Sequence, residues 1–228
     1  MEAIVLAGGF GTRLKEVVPD LPKPMAPVAG RPFLEILLSM LARKGFTRVI
    51  LSLGFMSEKI SLHFGDSYLG MELTYEVEDQ PLGTGGAIRA ALAHCEEDHA
   101  FIFNGDTYLE LEVDELEKLW QRNNNPVIVV REVPDTARFG RVDMSGGRVN
   151  AFLEKGGEGF GLINAGCYVL PKHGLDDFPL GQAFSIETDF FIKYLQFIRF
   201  EGFVTQGRFI DIGVPVDYAL AQTELAEL

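Results

Sequence analysis

The run Ala3-Ile4-Val5-Leu6 and the turn behind it, Ala7-Gly8-Gly9-Phe10-Gly11-Thr12-Arg13-Leu14, constrain this chain more than any other stretch. Unbroken apolar residues with β-branching suit a strand buried on both faces, the habit of parallel sheets. Gly8, Gly9 and Gly11 then place three glycines within four positions. With no Cβ between the amides and the outside, a ligand can approach the backbone closely. Successive exposed N–H groups form a nest that favours anions. Arg13 adds a fixed cation whose forked donors suit phosphate oxygens. The turn reads as a loop that wraps a nucleoside triphosphate.

Two other phosphate loops do not fit. The dinucleotide fingerprint Gly-x-Gly-x-x-Gly, counted from Gly9 and Gly11, would need glycine where Leu14 stands. Neither Gly8 nor Gly9 begins the Gly-x-x-x-x-Gly-Lys-Ser/Thr pattern of a Walker A loop.

The 228 residues carry a formal charge of −13 and are 47% apolar, the composition of a globular chain with ample core. The acidic balance argues against a nucleic-acid or anionic-membrane surface. Arg13, Lys15, Lys23 and Arg31 nevertheless cluster early, so the local field there opposes the global one. Cys95 and Cys167 alone make neither a disulfide framework nor a zinc site, and a reducing cytoplasm is expected. The chain opens on a strand, not on a leader pattern, and no apolar run reaches membrane-spanning length. No repeat or long linker interrupts it, so one continuous domain over residues 1–228 is expected.

Prolines at 19, 22, 24 and 27 forbid helix and predict a stiff extended crossing that pre-orients Lys23. Helices are expected over residues 33–44, 57–64, 113–123, 187–197 and 215–227, and one over 87–94 opened by the glycine-rich loop 78–87, whose glycines are Gly83, Gly85 and Gly86. Strands are expected over 48–53, 72–76, 100–103, 126–131, 140–144, 148–153, 161–170 and 200–205. The later ones read as an antiparallel extension laid over the first sheet. Asp106 follows a strand end, where open α/β sheets hold ligands. The histidines at 63, 94, 99 and 173 show no ligand spacing or partner, and the phenylalanines of 178–209 read as a core layer or subunit interface.

Taken in order, residues 6–14, Pro22-Lys23-Pro24, Gly83-Thr84-Gly85-Gly86-Ala87, Asn104-Gly105-Asp106, Phe152-Leu153-Glu154-Lys155, Asn164-Ala165-Gly166 and Asp211-Ile212-Gly213-Val214-Pro215 resemble the signature of sugar-1-phosphate nucleotidylyltransferases. The likeness covers nearly the whole chain. Residues 17–27 with Gly30-Arg31-Pro32-Phe33-Leu34-Glu35 look most like the D-glycero-D-manno-heptose 1-phosphate guanylyltransferases of bacterial surface-polysaccharide synthesis.

The resemblance implies an α/β, three-layer Rossmann-like nucleotidyltransferase fold with a mixed, mostly parallel sheet. It implies attack of a sugar 1-phosphate oxygen on the α-phosphorus of GTP, giving GDP-heptose and pyrophosphate. Catalysis would then be positioning plus positive charge. Arg13, Lys23 and Asp106 would be catalytic, with Asp106 and Asp211 sharing Mg²⁺. Leu6, Ala7, Gly8, Gly9, Gly11, Thr12, Arg13, Lys23, Gln80, Gly83, Thr84, Gly85 and Asp106 would surround the nucleotide. Gly140, Glu154, Lys155, Asn164, Glu187 and Asp189 would hold the sugar phosphate. The β-helix that longer relatives carry at the C-terminus is not expected here, so any homo-oligomer would use the catalytic domain. Mannose 1-phosphate with GTP, or another sugar phosphate with UTP or dTTP, is the alternative enzyme. A non-catalytic nucleotide-sugar sensor is the reading from a different class.

Overall fold

The computed structural model describes residues 1–9, 11, 14, 18–153 and 158–228. The chain opens with β1 (Glu2–Leu6). The proline-rich crossing then contains one 3-10 turn, Lys23–Met25, that the prolines were expected to forbid. Such a turn uses the amides of Met25 and Ala26, which reach Pro22 O and Lys23 O at 2.8 and 3.0 Å, and asks nothing of Pro24. The hairpin β2 (Pro27–Val28) and β3 (Arg31–Pro32) leads into α1 (Phe33–Arg43). Then follow β4 (Arg48–Leu53), α2 (Ser57–Phe64), β5 (Ser67–Tyr68) and β6 (Met71–Val77).

α3 spans Gly83–Leu92, so the glycines of the second loop form the first helical turn and are not a lead-in to it. β7 (His99–Asn104), β8 (Thr107–Leu109), α4 (Val113–Asn123) and β9 (Val127–Val133) complete the first half. β10 (Arg141–Ser145), β11 (Arg148–Leu153) and the long β12 (Gly161–Pro171) come next. Where a continuous helix was expected, a π-turn over Ile186–Phe191 runs into the single turn α5 (Ile192–Tyr194). Its wider pitch lets the consecutive rings of Phe190 and Phe191 both enter the core. β13 (Glu201–Thr205), β14 (Phe209–Asp211) and α6 (Pro215–Glu224) follow.

Ten strands form one sheet in the order β10-β11-β13-β9-β12-β7-β1-β4-β6-β5. β7, β1, β4 and β6 run parallel, and β12 lies antiparallel between β7 and β9. The late strands therefore continue the first sheet edge to edge; they are not laid over it, because β7 would otherwise present an unpaired edge. β10 pairs with both β11 and β12, which closes a circuit of pairings through β13 and β9. β8 and β14, outside that sheet, pair with each other.

Side chains alternate between two cores, as strand periodicity demands. Ala3, Val5, Val49, Leu51, Phe101 and Phe103 face α1, α4 and α6, while Ile4, Ile50, Ala100 and Ile102 face α3 and the π-turn. The second face is aromatic: Phe178 stacks on Phe184 at 4.1 Å, and Phe191 meets Tyr168 and Phe200 edge-on at 4.9 and 5.5 Å. Most phenylalanines of 178–209 are thus a core layer, with Phe197 exposed.

The histidines do have partners: His94 contacts Glu76 at 2.6 Å, and buried His99 lies between Asp98 and Glu117 at 2.5 and 2.8 Å. Burial pushes the Cys95 thiol up to about 12 and that of Cys167 higher still, so neither is a nucleophile near neutral pH. No described helix is long and apolar enough to cross a membrane.

The strand order reverses at β1, with β4 and β6 on one side and β7 on the other. The loops leaving β1 and β7 therefore meet at their carboxyl ends, where α/β sheets take ligands. They touch: Gly105 N donates to Leu6 O at 2.9 Å, and a Cβ on Gly105 would lie 2.6 Å from that oxygen.

Candidate active site

A cavity of about 320 Å³ opens at this reversal, lined by Leu6, Ala7, Gly8, Gly9, Lys23, Pro24, Ser52, Glu78, Pro81, Gly83, Thr84, Ala87, Asn104, Gly105 and Asp106. A second, of about 980 Å³, adjoins it and is lined among others by Gly11, Arg138, Gly140, Asn164, Glu187, Asp211 and Gly213. The two share Gly9, Lys23 and Asp106. At that shared waist Lys23 Nζ donates to Asp106 Oδ2 at 2.5 Å, with the lysine only 13% exposed. The prolines on either side of Lys23 fix the approach of its stem.

Asp106 and Asp211, 105 positions apart, are brought together by backbone pairing. β14 lies antiparallel to β8 with Asp211 opposite Thr107, and Ile212 N donates to Asp106 O at 2.9 Å. Asp211 Oδ1 accepts from Gly213 N at 2.7 Å. Burial first, and then the charge of Asp106, push the Asp211 carboxyl above its usual range. Like charges held close at a cavity wall are a donor set for a hard cation. Among the described residues no group of three or more His, Cys, Asp or Glu could hold a metal alone. Asp106 and Asp211 could hold one side of a Mg²⁺ ion, which keeps waters and substrate phosphate oxygens in its shell and does not need an all-protein cage.

Glu78 is the other carboxylate of the smaller cavity. It follows β6, as Asp106 follows β7, and its amide donates to Leu53 O at 2.8 Å. Glu78 Oε2 accepts from Leu82 N at 2.9 Å. Burial raises its pKa, an effect opposed by that amide.

A hydrogen bond links the two cavities, and a second one holds the larger cavity's wall. Thr84 Oγ1 donates to Glu187 Oε2 at 2.8 Å and accepts from Ile186 N at 3.0 Å, tying α3 to the π-turn. Asn164 Nδ2 donates to the buried Tyr168 hydroxyl at 2.8 Å. Burial chiefly, with Glu187 nearby, holds that phenol well above its usual range, so it remains a neutral donor. Thr84, Glu187, Tyr168 and Asn164 thus keep their polar atoms paired while three of them face substrate space.

Three expected contacts are placed otherwise. Gly85 is buried, its N–H donates to Phe184 O at 2.9 Å, and a Cβ there would lie 2.2 Å from the Phe184 ring. That glycine admits a neighbouring chain segment, and its amide is not offered to the cavity. Gln80 is exposed in a side cleft of about 220 Å³ that it shares with Gly8, Gly54 and Glu78. Asp189 does not line the larger cavity: its carboxylate accepts from Ser185 N at 2.9 Å and from Lys193 Nζ at 2.8 Å, capping the π-turn. Thr12, Arg13, Glu154 and Lys155 lie outside the described residues. Ser52, Glu78, Arg138 and Tyr168 were missed: Glu78 heads the second glycine-rich loop but was given no role there, and the others stand in no recognisable motif. The one available signal was Glu78's place at a strand's carboxyl end.

Comparison with known proteins bears on the family and the fold. Residues 2–227 match the Nucleotidyl transferase family. The chain is 41% identical to the D-glycero-alpha-D-manno-heptose 1-phosphate guanylyltransferase of Aneurinibacillus thermoaerophilus, covering 99% of this chain and 98% of that one. To the protein of the same name from Campylobacter jejuni it is 38% identical, over 96% and 97%. The crystal structure of HddC from Yersinia pseudotuberculosis complexed with GMP-PN superposes with a TM-score of 0.86 at 39% identity, covering 97% of each chain. Both the arrangement of loops around the sheet reversal and a likeness running the length of the sequence place this chain in the nucleotidyl transferase family.

Proposed function

We propose that this chain transfers GMP from GTP to D-glycero-α-D-manno-heptose 1-phosphate, forming GDP-heptose and pyrophosphate. The reading also takes residues 1–228 as one catalytic domain working in the cytoplasm. The observation that carries it is the pair of adjoining cavities that share Lys23 and Asp106, one for each phosphorylated substrate. The full-length likeness to two heptose 1-phosphate guanylyltransferases supports the choice of sugar.

In this reading GTP occupies the smaller cavity against the glycine turn, and the sugar 1-phosphate enters the larger one between Gly140, Asn164 and Glu187. An oxygen of the sugar phosphate attacks the α-phosphorus in line, the bond to the β-phosphate oxygen breaks, and pyrophosphate leaves with its electron pair. The nucleophile is already anionic near neutral pH, so no side chain need remove a proton. Lys23 places positive charge where it accumulates on the α-phosphate. Asn164 and Glu187 orient the sugar hydroxyls, held in turn by Tyr168 and Thr84. Asp106 and Asp211 would hold the Mg²⁺, which when bound offsets the charge of the phosphates.

The choice of base follows from Glu78. An ionised carboxylate only accepts hydrogen bonds. Guanine is the common base whose Watson–Crick edge offers two adjacent donors, N1–H and N2–H₂. Uracil and thymine offer a single donor there, N3–H, flanked by two carbonyl oxygens that a carboxylate repels. The test is a pyrophosphate-release panel of GTP, ATP, UTP and dTTP against heptose, mannose and glucose 1-phosphates. Turnover greatest with GTP and the heptose supports the reading, and silence from that pair while another turns over defeats it.

Glu78→Gln keeps an acceptor for Leu82 N but replaces one acceptor oxygen with a donor. It is expected to lower kcat/KM for GTP by roughly 10- to 100-fold, the worth of one bidentate base contact, while narrowing the gap to UTP. An unchanged GTP:UTP ratio would remove Glu78 from base reading.

A further inference from the structure

We propose that Arg138 is a second cation for the phosphate of the incoming sugar 1-phosphate, held by Asp217 until that substrate arrives. The inference rests on the two-substrate reading above. Arg138 lies between β9 and β10 on the wall of the larger cavity. Among the described residues lining that cavity, the cationic side chains are Lys23 and Arg138, set against Asp106, Glu187 and Asp211. Lys23 is already paired with Asp106. A sugar phosphate dianion entering beside these carboxylates is drawn to each cation on the wall, and Arg138 is one that Asp106 does not engage.

The guanidinium is also poised to change partner. Nη1 donates to Asp217 Oδ1 at 3.4 Å and Nη2 donates to the other oxygen, with the arginine 53% exposed. Asp217 is only 20% exposed, but with more than half of the arginine in solvent the pair is screened on that side and can exchange partners at modest cost. The same fork fits phosphate oxygens, and a dianion attracts it more strongly than one carboxylate does. Asp217 stands in the first turn of α6, where the helix end stabilises a carboxylate that has lost its partner. Arg138 and Asp211 line the same cavity, and the charge of Asp211 reaches the guanidinium.

Steady-state kinetics at saturating GTP, with the sugar 1-phosphate varied, test this on the unaltered chain and on Arg138→Gln, Arg138→Lys and Asp217→Asn. Arg138→Gln should raise KM for the sugar phosphate roughly 10- to 100-fold, the usual loss of a hydrogen bond to a charged group, with KM for GTP little changed. Arg138→Lys should recover part of the loss, and it serves if the glutamine variant does not fold. Asp217→Asn is the decisive arm, because it breaks the same ion pair while leaving the cation free. If Arg138 only straps its loop to α6, both changes act alike; if it clamps phosphate, Asp217→Asn leaves KM unchanged or lowers it. Equal rises in Arg138→Gln and Asp217→Asn, or an unchanged KM in Arg138→Gln, overturn the inference and leave the two-substrate reading intact. Failure of the unaltered chain to turn over any sugar 1-phosphate overturns both.

Discussion

Lys23→Ala is expected to lower kcat by roughly 10²–10³, the loss seen when one preorganised donor is removed from developing charge. The size of the effect follows from how the lysine is mounted. Pro22 and Pro24 bracket it, the 3-10 turn fixes its stem, and Asp106 holds its ammonium extended at the waist between the cavities before substrate arrives. Little reorganisation is then left for the moment of transfer, when negative charge on the α-phosphate oxygens is greatest. GTP binding should suffer far less, because in the proposed reading the amides of the glycine turn would still meet the triphosphate. The measurement is kcat and KM for GTP by pyrophosphate release, with circular dichroism to confirm folding. A kcat within threefold of the unaltered chain, or a loss confined to KM, would show that Lys23 serves binding alone.

Asp211→Asn is the second large effect. Removing one of two carboxylates from the cation site should cut turnover on the order of 10²–10³ and move the Mg²⁺ requirement to higher concentration. A second readout comes from stability without metal. Asp211 has its carboxyl raised in the folded state, so the folded chain binds that proton more readily than the unfolded one. The ionised group therefore destabilises the fold at neutral pH, and this penalty disappears as pH falls below the ordinary carboxylate range. Asparagine can still accept from Gly213 N, so the metal-free variant should melt higher than the unaltered chain at neutral pH and level with it in acid. Normal turnover with an unshifted Mg²⁺ response would take Asp211 out of the cation site.

Local signals made some elements legible residue by residue. β4, α2, α4 and β11 have the bounds the sequence predicts, because apolar periodicity and glycine, proline or asparagine stops agree there. What escaped was set by distant partners. Gly83–Gly86 become helix because residues 182–184 pack across them, which no helix propensity reveals. β8 is too short to announce itself and exists through its pairing with β14. β12 joins β7 at an edge that only the assembled sheet defines. The site divides in the same way. Asp106 and Asp211 sat in motifs, and their meeting could be anticipated, whereas Glu78 and Arg138 are single charged residues whose importance lies in the cavity walls they reach.

The meeting of β8 with β14 bears on the order in which activity arises during synthesis. The residues that line the smaller cavity all lie between Leu6 and Asp106, on or beside β1, the 3-10 turn, β4, β6, α3 and β7, so they are made first, although β1 meets β7 only when Ala3 reaches Phe101. Asp211 reaches Asp106 only after a loop of about a hundred residues has closed, a step whose entropic cost is met late by the strand pair and α6. The carboxylate pair is therefore the part of the site completed last, once β14 has come down beside β8 and brought Asp211 to Asp106.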